Sequence, residues 1–104
     1  MSLWKHYVAT IDKAVENAQI DLSKNGITRF KITQELRIHG RGELVVQHCA
    51  TARWKGKELK VVLEGEGPST EYYTMSRTED QAWRVVKNLS HDIWTQTYDR
   101  YANK

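Results

Sequence analysis

The sequence predicts an α+β fold: an N-terminal helix, a three- to four-stranded antiparallel meander and a C-terminal helix, with both helices on one sheet face. Two observations carry this. Apolar residues recur at spacings of three and four at both ends of the chain, and at spacings of two in between. The breaks between the alternating runs are too short for anything but hairpins, and an antiparallel meander can leave one face wet, so both helices can cover the other. A length of 104 residues suits one domain, taken as 1–104.

In the first segment Trp4, Tyr7, Val8, Ile11, Ala14, Val15, Ala18 and Leu22 stack on one helical face, opposite His6, Asp12, Lys13, Glu16 and Asn17. Asn25-Gly26 ends it, since both residues tolerate the left-handed backbone of a helix terminus.

Alternation follows. Phe30, Ile32, Leu36 and Ile38 form the inward set of the first strand. Leu44, Val46, Ala50, Ala52 and Trp54 form that of the second, and Leu59, Val61 and Leu63 that of the third. Glu71–Met75 is expected as a fourth strand, because tyrosine and threonine suit a pleated surface. Ser76 and Thr78 each begin a capping-box pattern with Glu79 and Gln81 as third residues. Ala82, Val85, Val86, Leu89, Ile93 and Trp94 then predict the last helix, with Tyr98 and Tyr101 beyond.

Turn chemistry sets the registers. A Gly40-Arg41-Gly42 loop pairs Ile38 with Leu44, Leu36 with Val46, Gln34 with His48, Ile32 with Ala50 and Phe30 with Ala52. A two-residue Lys55-Gly56 loop pairs Ala52 with Leu59, Ala50 with Val61 and His48 with Leu63. On the second face these registers set Arg29 beside Arg53, Lys31 beside Thr51 and Thr51 beside Lys60. At the other end Glu35 stands by Gln47 and Gln47 by Glu64, with Thr33, Cys49 and Val62 between the two ends. Residues 25–62 carry a balance of +5 and residues 63–81 one of −4, within a net charge of +3.

Composition excludes several classes. With 39% hydrophobic and 10% aromatic residues the chain is no disordered polymer, and its apolar runs are too short to span a membrane. Met1–Tyr7 lacks the apolar core of an export signal and Cys49 is the single cysteine, so a cytoplasmic protein is expected. Asn88-Leu89-Ser90 matches a glycosylation acceptor, a chance match without a secretory route. No metal or cofactor is expected, because His6, His39, His48 and His91 are scattered without ligand spacing. His48 and Cys49 alternate to opposite faces and cannot act as a base and nucleophile pair. His91-Asp92 lacks companion ligands, and Glu64, Glu66 and Glu71 read as a solvated acidic loop. The short glycine loops open no helix and cannot cradle phosphate. The chain is therefore expected not to be an enzyme.

Three binding classes follow. The favoured one is a protein that contacts another protein, or dimerises with itself, through the sheet face at Thr33, Val45, Cys49 and Val62. The second is nucleic-acid binding through a basic corner of Arg29, Lys31, Arg53 and Lys60, consistent with a pI near 9.1. The element order is that of double-stranded RNA-binding domains, but where those carry a lysine cluster this chain has Thr78, Glu79 and Asp80, so the similarity stops at topology. The third is a small-molecule pocket walled by Tyr7, Gln34, His48, Trp54 and Trp83, whose alternative is a satisfied polar pair in an ordinary core. Trp94, Tyr98 and Tyr101 lie at helical spacing and suit an aromatic ridge, with packing on the sheet preferred for Trp94.

Overall fold

The computed structural model describes residues 3–38, 40, 42, 44–65, 68 and 74–102, with residues 44 and 99–102 as backbone only. Helix α1 spans Leu3–Ser23, strand β1 Ile27–Ile38, β2 Leu44–Trp54, β3 Lys57–Gly65 and helix α2 Met75–Ala102. The strands form one antiparallel sheet in the order β1-β2-β3. Both helices pack on one face, α1 on β1 and α2 on β3 and β2, and they also pack on each other.

Local chemistry explains the boundaries. Helix α1 stops at Ser23, and the amides of Lys24, Asn25 and Gly26 bond back to the carbonyls of Asp21, Leu22 and Ser23. Gly26 then takes φ +76°, which a side chain would resist. Helix α2 is capped by Thr74, whose Oγ1 accepts from the Arg77 amide at 3.1 Å. This replaces the caps expected at Ser76 and Thr78. Thr78 is fully buried inside the helix, its hydroxyl donating to the Thr74 carbonyl at 2.8 Å. With Met75 as the first helical residue, the expected fourth strand does not extend to that position; residues 71–73 lie outside the described set.

The β2–β3 hairpin turns on Lys55 and Gly56, both left-handed at φ 51° and 75°, and its register agrees with the expected one throughout. The β1–β2 register agrees from Lys31 to Ile38 and then shifts. Between Thr28 and Lys31 a bulge adds one residue, with Arg29 at φ 56°. Thr28, and not Arg29, therefore stands opposite Arg53, and Phe30 does not pair with Ala52. The extra residue returns Ile27 to the inner face, so Ile27 and Phe30, three apart, are both buried. Gln19 of α1 stabilises the bulge: its amide nitrogen donates to the Ile27 carbonyl at 2.9 Å, and its oxygen accepts from the Phe30 amide at 2.7 Å. On the opposite edge Gln96 of α2 donates to the Lys60 carbonyl at 3.0 Å. One glutamine from each helix thus ties down one edge of the sheet.

Tyr7, Ile11, Leu22, Ile27, Phe30, Ala50, Leu59, Val86, Leu89 and Ile93 belong to the continuous core between helices and sheet. Leu36 and Ile38 share the inward parity but are 55% and 74% exposed. Leu36 stands in register with Val46, which is fully buried, so the cover over β2 at this level does not extend across to the edge strand β1.

Candidate functional site

Among the described residues no helix packs on the second face of the sheet, which presents the alternate residues of the three strands. Three cross-strand rows define it. The central row is Thr33–Cys49–Val62, all paired in register. Toward one end lies Lys31–Thr51–Lys60, and toward the other Glu35–Gln47–Glu64. Val62 is 49% exposed and Cys49 half-buried, so the middle of the face is apolar or small and open to solvent. Val45 lies beyond the acidic row, opposite Arg37.

The charges are unevenly committed. Arg37 reaches Glu35 at 3.3 Å, and Gln47 donates to Glu64 at 3.5 Å. Lys31 and Lys60 make no ion pair among the described residues. The basic corner expected at Arg29, Lys31, Arg53 and Lys60 is only partly assembled. Lys31 and Lys60 flank Thr51, whereas the bulge displaces Arg29 from Arg53. Arg53 faces Glu58 across β3 and donates to the Gly56 carbonyl at 2.9 Å. The acid beside Arg53 and the displaced Arg29 leave two cations, one on each side of Thr51, where a corner of four was expected.

On the covered face the residues of the expected pocket separate. Tyr7 Oη lies 2.7 Å from His48 Nε2, and the Leu63 carbonyl 3.3 Å from Nδ1. A carbonyl can only accept, so Nδ1 carries the proton and Nε2 accepts from the tyrosine hydroxyl. Burial holds the His48 pKa below its ordinary value, partly opposed by the bond to Leu63. The ring is therefore a neutral clamp joining α1, β2 and β3. Gln34 stands opposite His48 in register, yet its Oε1 is buried without a hydrogen-bond partner. Trp54 lies at the far end of β2, its ring under Lys55 Nζ at 4.7 Å. Trp83 lines a different space, an open groove of about 1110 Å³ bordered by α1 and α2. Neither Tyr7, Gln34, His48 nor Trp54 lines that groove.

The groove also exposes aromatic rings on α2. Trp94 is 38% exposed and stacks on Tyr98 at 6.1 Å, with His91 on its other side at 5.9 Å. Trp94 thus departs from the packing expected of it and forms a ridge with Tyr98. Its cations Arg84 and Lys87 are matched in number by Asp21 and Asp92, so the groove carries no net preference for a charged ligand.

Among the described residues no group of three histidine, cysteine or acidic side chains is close enough to hold a metal ion, and no helix is long and apolar enough to cross a membrane. Sequence reasoning missed Gln19 and Gln96, because a glutamine on the flank of an amphipathic helix carries no local mark of a long-range bond. Comparison with protein-family models, curated proteins and solved structures finds no match.

Proposed function

We propose that this protein is a non-enzymatic interaction module that meets protein surfaces through its uncovered sheet face. The observation that carries the reading is the central row Thr33–Cys49–Val62, apolar or small, open, and set between rows of opposite charge. Contact surfaces with that anatomy lose little on desolvation at the middle and gain orientation from the polar rim.

The magnitude sets the kind of contact. Nine residues of β3 at about 3.3 Å each, and three strands about 4.8 Å apart, give a patch on the order of 400 Å². Standard interfaces use about 800 Å² per partner, so the encounter belongs to the weak and reversible class. Light scattering on a concentration series, at low and at moderate salt, tests the reading. Reversible association that Val62→Lys abolishes while the fold is kept supports it. Association that survives Val62→Lys unchanged removes this face from consideration.

Nucleic-acid binding is the weaker reading here, because Glu58 beside Arg53 and the displaced Arg29 break up the cationic corner.

A further inference from the structure

The arrangement of charge on the open face points to one occupant, and this step rests on the reading above. We infer that the face is self-complementary, and that a second copy docks on it about a two-fold axis running across the strands along Thr33–Cys49–Val62.

The geometry follows from the rows. A two-fold axis lying between the faces and parallel to the central row reverses the strand direction and leaves position across the sheet unchanged. Strand β1 then lies over β1 of the other copy, and β3 over β3. The row Lys31–Thr51–Lys60 comes to lie over the partner's row Glu35–Gln47–Glu64, because the two are equidistant from the central row in both registers. Lys31 faces the partner's Glu35, and Lys60 faces the partner's Glu64. Symmetry doubles both contacts. The central row lies over itself, Thr33 on Thr33, Cys49 on Cys49 and Val62 on Val62.

Three features favour this occupant over an unrelated protein. The two charged rows carry equal and opposite formal charge, as a self-pairing surface requires. The cations of the basic row make no ion pair among the described residues. The central row contains no charge to be buried against its own copy. Facing sheets cross at about 30°, which moves the outer rows sideways but leaves the axis fixed, so Cys49 marks the axis whatever the twist.

The test uses two double variants and the only cysteine. Lys31→Glu/Lys60→Glu makes both rows acidic, and Glu35→Lys/Glu64→Lys makes both basic. All four positions are exposed, so both variants are expected to fold, with circular dichroism as the check. Each alone is expected to associate about a hundredfold more weakly than the parent chain, since like charges facing each other cost several kcal/mol. An equimolar mixture is expected to associate at least as tightly as the parent, because every facing pair is then opposite in sign. In parallel, a bismaleimide of about 10 Å reach, the spacing of facing sheets, is expected to link the parent chain through Cys49 into a covalent dimer, and Cys49→Ser to abolish the product.

Rescue by mixing, with cross-linking at Cys49, supports the two-fold arrangement. If either double variant associates like the parent, or the mixture fails to recover, the arrangement is wrong while Val62→Lys still decides whether the face is used at all. A parent chain that stays monomeric at about 1 mM, well above the micromolar range of weak encounters, overturns self-association and leaves the face to a different protein.

Discussion

The two faces of this sheet are made by the same three strands, yet they do different work. On the covered face Ile32, Ala50 and Leu59 are sealed in the core, and of the polar pair there His48 is satisfied by Tyr7 and Leu63 while Gln34 Oε1 is not. One residue along each strand, Lys31, Cys49, Thr51 and Lys60 face away from both helices. Burial of apolar area stabilises the first set, whereas the second set keeps its charges in water, where they cost nothing to the fold. Stability is carried by one set of alternate side chains, and the proposed association would be carried by the other. Substitutions one position apart should therefore act on different quantities.

The largest effect is expected at the centre of the covered face. Leu59 is fully buried in the core, so Leu59→Ala removes its methyl groups and leaves a cavity. A cost of about 3 kcal/mol is expected, which lowers the thermal midpoint of a domain this size by roughly 12–24 °C. The proposed self-association is expected to be unchanged in the folded fraction. Thermal unfolding followed by circular dichroism, beside light scattering well below the midpoint, measures both. Weakened association in that folded fraction would break the separation of the faces.

Next comes the bulge. Gln19→Ala leaves the Ile27 carbonyl and the Phe30 amide without their side-chain partner. Both bonds are partly buried, so water recovers some of the loss, and a cost of about 1–2 kcal/mol is expected. Gln19→Glu keeps the acceptor for Phe30 but loses the donor to Ile27, and should fall in between. Denaturant midpoints rank the three chains. The Phe30 amide, read by hydrogen exchange, should open fastest in Gln19→Ala.

This bulge also marks where the sequence stops being readable. The registers from Lys31 to Ile38 and across the second hairpin follow from parity and from glycine at the turns, both local signals. Nothing local announces that Arg29 will adopt a left-handed backbone, because the group that satisfies the bulge, Gln19, comes from another element ten residues earlier in the chain. Leu36 and Ile38 look inward by alternation, but their exposure depends on how much of the edge strand is covered, since Val46 beside Leu36 is fully buried. The central row of the open face was legible as the counterpart of the core pattern. The separation of Trp54 and Trp83 from His48 was not, since it depends on the placement of whole elements.

His48 gives the covered face a dependence of stability on pH. Its pKa is lowered by burial in the folded state and relaxes to about 6.5 on unfolding. The unfolded chain therefore binds the proton more readily. This part of the stability is fully present above pH 6.5 and is lost as the pH falls toward the lowered folded value, at no more than about 1.4 kcal/mol per pH unit. His48→Gln offers an acceptor to Tyr7 and a donor to the Leu63 carbonyl without titrating. Its unfolding free energy, subtracted from that of the parent at each pH, should isolate this slope. A difference that stays flat below pH 6.5 would show that the clamp is not the titrating element.

The smallest effect on stability is expected at Val62, and it separates the faces most cleanly. Val62 lies on an edge strand, half exposed, with its side chain on the face that no helix covers. Replacing it with lysine loses some β-propensity and little buried area, so the unfolding midpoint should move by no more than about 0.5 kcal/mol. Association should respond differently, because the proposed two-fold arrangement sets Val62 against its own copy, and two ammonium groups would then meet in the desolvated middle of the contact. Position 61, one residue back, faces the helices, and Val61 packs against the core. Val61→Lys should therefore cost several kcal/mol of stability, since an unpaired charge would be forced into the apolar layer. The adjacent pair is the sharpest form of the contrast. Denaturation and light scattering on both variants should give opposite rankings, and equal losses of stability at the two positions would mean that the open face is not open in solution.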